Sequence, residues 1–129
     1  MNDSNNVSLT KTIKRYPRGI PFADISKDIM GKKYTLSLVF IADQLSLRLN
    51  KTYKSKNKPA SVLAFPLSEH EGEVFINQRK AERDARSHGR TVRTFTCYLF
   101  IHALLHLKGM AHGSTMESEE RKWCKKYNC

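Results

Sequence analysis

The run Tyr98-Leu99-Phe100-Ile101-His102-Ala103-Leu104-Leu105-His106-Leu107 constrains the fold of this chain more than any other segment. It is apolar on every side of a helix, and such a helix has to be enclosed by the rest of the protein. At half the length a bilayer requires (about 20 apolar residues), and interrupted by two histidines, it is no membrane span. The pattern predicts one central buried helix, Arg93 to Leu107. A chain of 129 residues is long enough for one domain with a single core around it.

The remaining periodicities predict an α+β fold. Val7 to Thr10 reads as a short first strand. Pro21 opens a helix with Phe22, Ile25 and Ile29 on one stripe, closed by Gly31. Tyr34, Leu36, Leu38 and Phe40 alternate with polar or smaller residues as a strand. Asp43 is placed to cap a helix whose stripe is Leu45, Leu49 and Tyr53. After a lysine-rich loop, Val62 to Phe65 forms a strand ended by Pro66. The strand Glu73 to Asn77 follows, and the short spacing predicts a hairpin. Arg79 to His88 is a polar helix with Ala81 and Ala85 on one face. Ser114-Thr115-Met116-Glu117 reads as a capping box opening a last helix that packs Met116, Trp123 and Tyr127. Met1 to Asn6 is expected to be disordered.

Charge narrows the function. Lys and Arg number 23 against 12 acids, a net charge of +11, which points to a polyanionic partner such as nucleic acid. Eleven of these basic residues fall in two runs, Arg48 to Lys58 and Arg79 to Arg93, and a fold that brings the runs together would make one positive surface. The N-terminal residues lack the pattern of a secretory signal. Three cysteines without a Cys-x-x-Cys pair argue against a disulfide framework, so a cytoplasmic setting is expected. The thiols are expected to be inert, and His70 and His88 exposed.

Three of the five histidines lie between His102 and His112. His102 and His106, four apart, address one point from one helix face. Gly109 can adopt the left-handed conformation that ends the helix and turns His112 back to the same point. Two imidazoles on an otherwise apolar helix are costly to bury without partners, and one metal ion would satisfy both. Three neutral imidazoles plus a water describe a catalytic zinc site rather than a structural one. Another transition metal would also accept them. Zinc peptidases with a similar helix carry Glu directly after the first histidine as general base. Here that residue is Ala103, which ranks a metallopeptidase low.

The segment His102-Ala103-Leu104-Leu105-His106-Leu107-Lys108-Gly109-Met110-Ala111-His112 resembles the His-Gly-x-Leu-His-Leu-x-Gly-Tyr-Asp-His motif of the YbeY endoribonuclease family, bacterial factors of ribosomal RNA maturation. A second match runs from Leu49-Asn50 through Tyr53-Lys54, Lys56 and Pro59 to Val62-Leu63-Ala64-Phe65-Pro66. Gly72 to Asn77 is similar to the family's next strand. The resemblance, spanning about Tyr34 to Glu120, implies a small four-stranded sheet packed by about five helices, with a central helix carrying two metal-binding histidines.

Carried over, the resemblance implies that His102, His106 and His112 bind zinc and that Lys54 stands at a functional arginine. The implied activity is metal-dependent cleavage of single-stranded RNA in ribosomal RNA processing and ribosome quality control, with the ribosomal subunit or its proteins as partners. Either an activated water or the ribose 2′-hydroxyl would attack the phosphodiester. Lys51, Lys56 and Lys58, with Arg79 and Arg83, are candidates for holding the RNA backbone. Tyr53 and Phe65 can stack bases, although their regular apolar positions favour the core. The chain departs from the family at Lys54, which loses the planar guanidinium fork. It also departs at Ala60-Ser61, Ala64 and Ala103, and at Met110-Ala111, which removes a carboxylate beside the third histidine. A non-enzymatic RNA-binding assembly factor with a structural metal is the alternative.

Overall fold

The computed structural model describes residues 6–129. Its elements are β1 (Val7–Lys11), α1 (Phe22–Met30), β2 (Thr35–Ile41), α2 (Asp43–Lys54), β3 (Val62–Ser68), β4 (Glu71–Asn77), α3 (Gln78–Ser87), α4 (Val92–Leu107) and α5 (Ser114–Tyr127). The four strands form one sheet in the order β1-β2-β4-β3, and the five helices complete a single α+β domain. β1 and β4 both pair parallel to β2, while β3 and β4 form the expected antiparallel hairpin. The disorder expected for residues 1–5 lies outside the described residues. Asn6 is held: its carbonyl accepts from the Leu36 N–H at 2.9 Å, and its side-chain amide donates to the Lys32 carbonyl.

α4 is the centre of the molecule, as its composition requires. Phe100, Ile101, Leu104 and Leu105 are fully buried, each burial stabilising the fold by about 1.5–3 kcal/mol. They meet Leu36, Leu38, Phe40, Val74 and Ile76 from one face of the sheet, with α1 and α5 closing the sides. On its other flank α4 uses Phe95 and Leu99 against Ala81 and Ala85 of α3. Two small residues at that contact let the helices approach closely.

Several elements differ from expectation, for local reasons. β3 runs through Pro66, which pairs with Gly72; a proline is tolerated because β3 is an edge strand. Asp43 does not cap α2. The N-cap is Ala42, and the Asp43 carboxylate instead accepts from the Asn77 amide at 2.8 Å and from both Arg83 guanidinium nitrogens at 3.0 and 3.1 Å. Arg83 first, then Asn77, hold that carboxyl below its usual pKa. The capping box at Ser114 is not formed either, since Gly113 is the N-cap and no side chain caps α5. Thr91 and Asn77 do cap, accepting from Thr94 N and Lys80 N.

The largest departure concerns α2. Its buried residues are Ser46 and Asn50 rather than the apolar stripe, and Tyr53 is exposed. Ser46 Oγ donates to the Ala60 carbonyl at 2.8 Å and accepts from the Ala60 N–H at 2.9 Å, while Asn50 Nδ2 donates to the Lys58 carbonyl at 2.8 Å. The buried face of α2 is therefore polar because it satisfies the backbone of the lysine loop, whose own residues offer no regular partners.

Candidate metal centre

α4 ends at Leu107 with the Lys108 cap and a left-handed Gly109, φ 98°. Gly109 N donates to the His106 carbonyl at 2.9 Å and Met110 N to the Leu105 carbonyl at 3.0 Å, the paired bonds of a Schellman turn. This turn does two things. It brings His112 back to His102 and His106, so that one ligating atom from each lies within 4.8 Å of the others. It also presents the Met110 carbonyl to His106 Nδ1 at 3.0 Å.

The tautomers follow from these partners. A carbonyl can only accept, so His106 carries its proton on Nδ1 and its Nε2 is a bare lone pair. His102 Nδ1 bonds Glu120 of α5, a carboxylate that is itself buried, which turns His102 Nε2 toward His106. The two Nε2 atoms face each other at 3.1 Å. Nitrogens at that separation share either a proton or a cation. A proton is disfavoured at His106, whose pKa is lowered by burial and then by the neighbouring His102. A metal ion fits: imidazole nitrogens about 2.0–2.1 Å from a tetrahedral centre stand roughly 3.3 Å apart. His112, with its ring centre 5.3 Å from that of His102 and 4.7 Å from that of His106, supplies a third donor.

The triad opens on a cleft of about 630 Å³ that Lys54, Lys56 and Lys58 also line. The loop anchors Ser46 and Asn50 thus set the position of these lysines, and Ser55 permits the turn by taking a left-handed conformation, φ 57°. Lys80 and Asp84 reach the cleft from α3 and pair with each other at 3.3 Å. Lys51 is exposed on α2 and does not line the cleft. Arg79 and Arg83 are not brought to it: Arg79 lines a separate hollow with Lys14 and Arg15, and Arg83 is engaged by Asp43. The two basic runs therefore meet at Lys80, while α3 turns Arg79 and Arg83 away from the loop.

Glu120 is the functional candidate that sequence reasoning missed. It lies 18 residues from His102, beyond the reach of any helical spacing rule. Its signal was an acid at a half-apolar position of α5, one turn beyond the buried Met116. Position 103 is a buried alanine, and Asp84 is the one carboxylate among the described residues lining the cleft. His70 is exposed; His88 caps α3 and stacks on Phe95 at 5.4 Å. Cys97 is buried, and the Cys124 and Cys129 sulfurs lie 3.2 Å apart at the end of α5. Among the described residues no helix is long and apolar enough to cross a membrane.

Comparison with known proteins agrees with this geometry. The family model described as endoribonuclease YbeY matches residues 2–128. The endoribonuclease YbeY of Aquifex aeolicus is 34% identical over 122 residues, covering 89% of this chain and 81% of that protein. The endoribonuclease YbeY of Thermodesulfovibrio yellowstonii is 31% identical over 131 residues, covering 90% and 82%. A Thermotoga maritima protein whose structure was solved in solution shares the fold with a TM-score of 0.64 at 19% identity, over 94% of this chain and 88% of that one.

Proposed function

Because this chain belongs to the family of YbeY endoribonucleases, we propose that it is a zinc-dependent endoribonuclease that cuts single-stranded RNA during ribosomal RNA maturation and ribosome quality control in the cytoplasm. The observation that carries this reading is the pair of facing Nε2 atoms of His102 and His106, 3.1 Å apart and joined by His112, in a lysine-lined cleft. Three imidazole donors with an open side match zinc in a catalytic role.

When bound, zinc supplies Lewis-acid chemistry, acidifying water and polarising a phosphoryl oxygen. The chain does the rest. Glu120 and the Met110 carbonyl hold His102 and His106 in the ligating tautomer. Lys54 offsets charge that develops on the phosphoryl oxygens. Lys56 and Lys58 hold the backbone without reading sequence, leaving the choice of cutting site to the ribosomal subunit or its proteins. Lys51, Arg79 and Arg83 lie outside the cleft and would contact RNA beyond it. A metallopeptidase gains no support, since Ala103 stands where its base belongs.

The test is metal content together with cleavage of single-stranded RNA for the wild type, His106→Ala and Lys54→Ala, purified identically. Zinc near one equivalent and cleavage in the wild type, lost in His106→Ala and reduced in Lys54→Ala, supports the reading. Equal cleavage by all three identifies a contaminant and sinks it. Bound zinc without cleavage favours the assembly-factor alternative.

A further inference from the structure

Tyr53, on the last turn of α2, is 66% exposed, and its ring is held in place rather than free. It meets Phe65 edge-on with centroids 5.5 Å apart, and Phe65 meets Phe75 in the same manner at 5.8 Å. Phe65 and Phe75 stand on β3 and β4, on the sheet face opposite the buried Val74. Alternation along β3 sends Ala64 into the histidine cleft and Phe65 to the other side of the same edge strand. The aromatic row begins where the cleft ends. Lys54 spans both, lining the cleft while its Nζ sits 5.3 Å from the centre of the Phe65 ring.

An exposed tyrosine alone is ordinary. This one is backed by a second ring, and the charges on and beside its own turn are of one sign. Residues 44–68 hold no acid, and Lys51, Lys54, Lys56 and Lys58 all lie on or beside its turn. Half-buried Glu73, opposite Phe65 on β4, is the nearest acid by sheet register. An acidic peptide would use the lysines but has no general use for a flat ring. A single-stranded nucleic acid uses both, since its backbone is anionic and every base has a π face. We propose that Tyr53, backed by Phe65, is a stacking platform for a base of single-stranded RNA whose backbone continues around β3 into the histidine cleft. This rests on the endoribonuclease reading and extends it: the lysines hold phosphate, and Tyr53 holds an unpaired base without regard to its identity, so the site prefers unpaired RNA.

The test is fluorescence anisotropy of the full chain with a labelled 2′-O-methyl phosphorothioate oligoadenylate, which resists cleavage, and with an abasic chain of the same backbone and length. Wild type and Tyr53→Phe should bind the base-bearing strand alike. Tyr53→Leu keeps apolar contact with Phe65 but loses the flat ring, and should bind that strand about tenfold more weakly, with affinity for the abasic chain unchanged. Equal affinity of Tyr53→Leu and wild type for the base-bearing strand overturns the proposal and leaves the patch to an acidic protein partner. Equal weakening on both strands also overturns it, since the residue would then act only through the lysines. A Tyr53→Phe variant as weak as Tyr53→Leu overturns it too, by assigning the effect to the hydroxyl. Cleavage is read separately through His106→Ala, so the platform can fail while the nuclease stands, and the reverse.

Discussion

Glu120 of α5 accepts a hydrogen bond from Nδ1 of His102 on α4, and this contact aims His102 Nε2 at His106 and His112. Without it the imidazole has no partner that selects its tautomer. Glu120→Gln keeps the shape but loses the negative charge and can donate as well as accept. It should weaken zinc binding about 10–100-fold, read by competition with a chromogenic chelator, while the far-ultraviolet circular dichroism stays that of the wild type. Unchanged affinity would mean that His102 needs no orienting partner.

Ser46 is fully buried and makes two hydrogen bonds to the backbone of Ala60. Ser46→Ala leaves both groups of Ala60 without that partner and should cost about 1–3 kcal/mol in urea unfolding. It also frees the lysine loop, so RNA affinity should fall although residue 46 touches no substrate. A stability loss with unaltered RNA binding would show that the loop holds its place by other means.

Gly72 has no room for a side chain. A Cβ placed there meets the Tyr34 hydroxyl and stands 3.2 Å from both Cδ atoms of Leu107, the residue after His106. Gly72→Ala should destabilise the fold by about 1–3 kcal/mol, and pressure on Leu107 should weaken zinc binding in the folded fraction. Thermal unfolding with and without added zinc measures both.

Asp28 ties α1 to α5 through Lys126 at 2.7 Å and through the Tyr127 hydroxyl. Lys126 and then Tyr127 hold the Asp28 carboxyl below its usual value. A carboxyl whose folded pKa is lowered adds stability above its unfolded pKa, about 3.9, and that stability is lost as pH falls through the folded value. Asp28→Asn should therefore be less stable than wild type at neutral pH. The gap should close as pH falls below about 4, and urea unfolding across pH 2–7 tests the sign.

If Lys56 and Lys58 hold RNA phosphates, each alanine substitution should flatten the plot of log affinity against log salt by about 0.7. The cleft placement of these lysines, against the engagement of Arg83 by Asp43, predicts a smaller change for Arg83→Ala. Equal changes in slope at all three positions would extend the RNA path over α3.

The buried helix, the α+β class and the triad were legible in the chain because each rests on local spacing. A ten-residue run that is apolar but for His102 and His106 demands enclosure, those two histidines are one turn apart, and Gly109 sits where a left-handed residue is needed. α2 misled because its apolar stripe was weighed against water alone. The loop from Ser55 to Ser61 needs hydrogen bonds, and burying Ser46 and Asn50 to supply them turned Tyr53 outward.

By itself the amino-acid sequence determined which residues could share a metal ion and which helix had to carry them, since both depend on neighbours within one turn. Tertiary structure alone decided that Glu120 reaches His102, that the loop lysines face the cleft while Arg79 and Arg83 do not, and that Tyr53 stands in solvent. Those relationships join elements far apart in the chain, and no periodicity within a single element encodes the packing that brings them together.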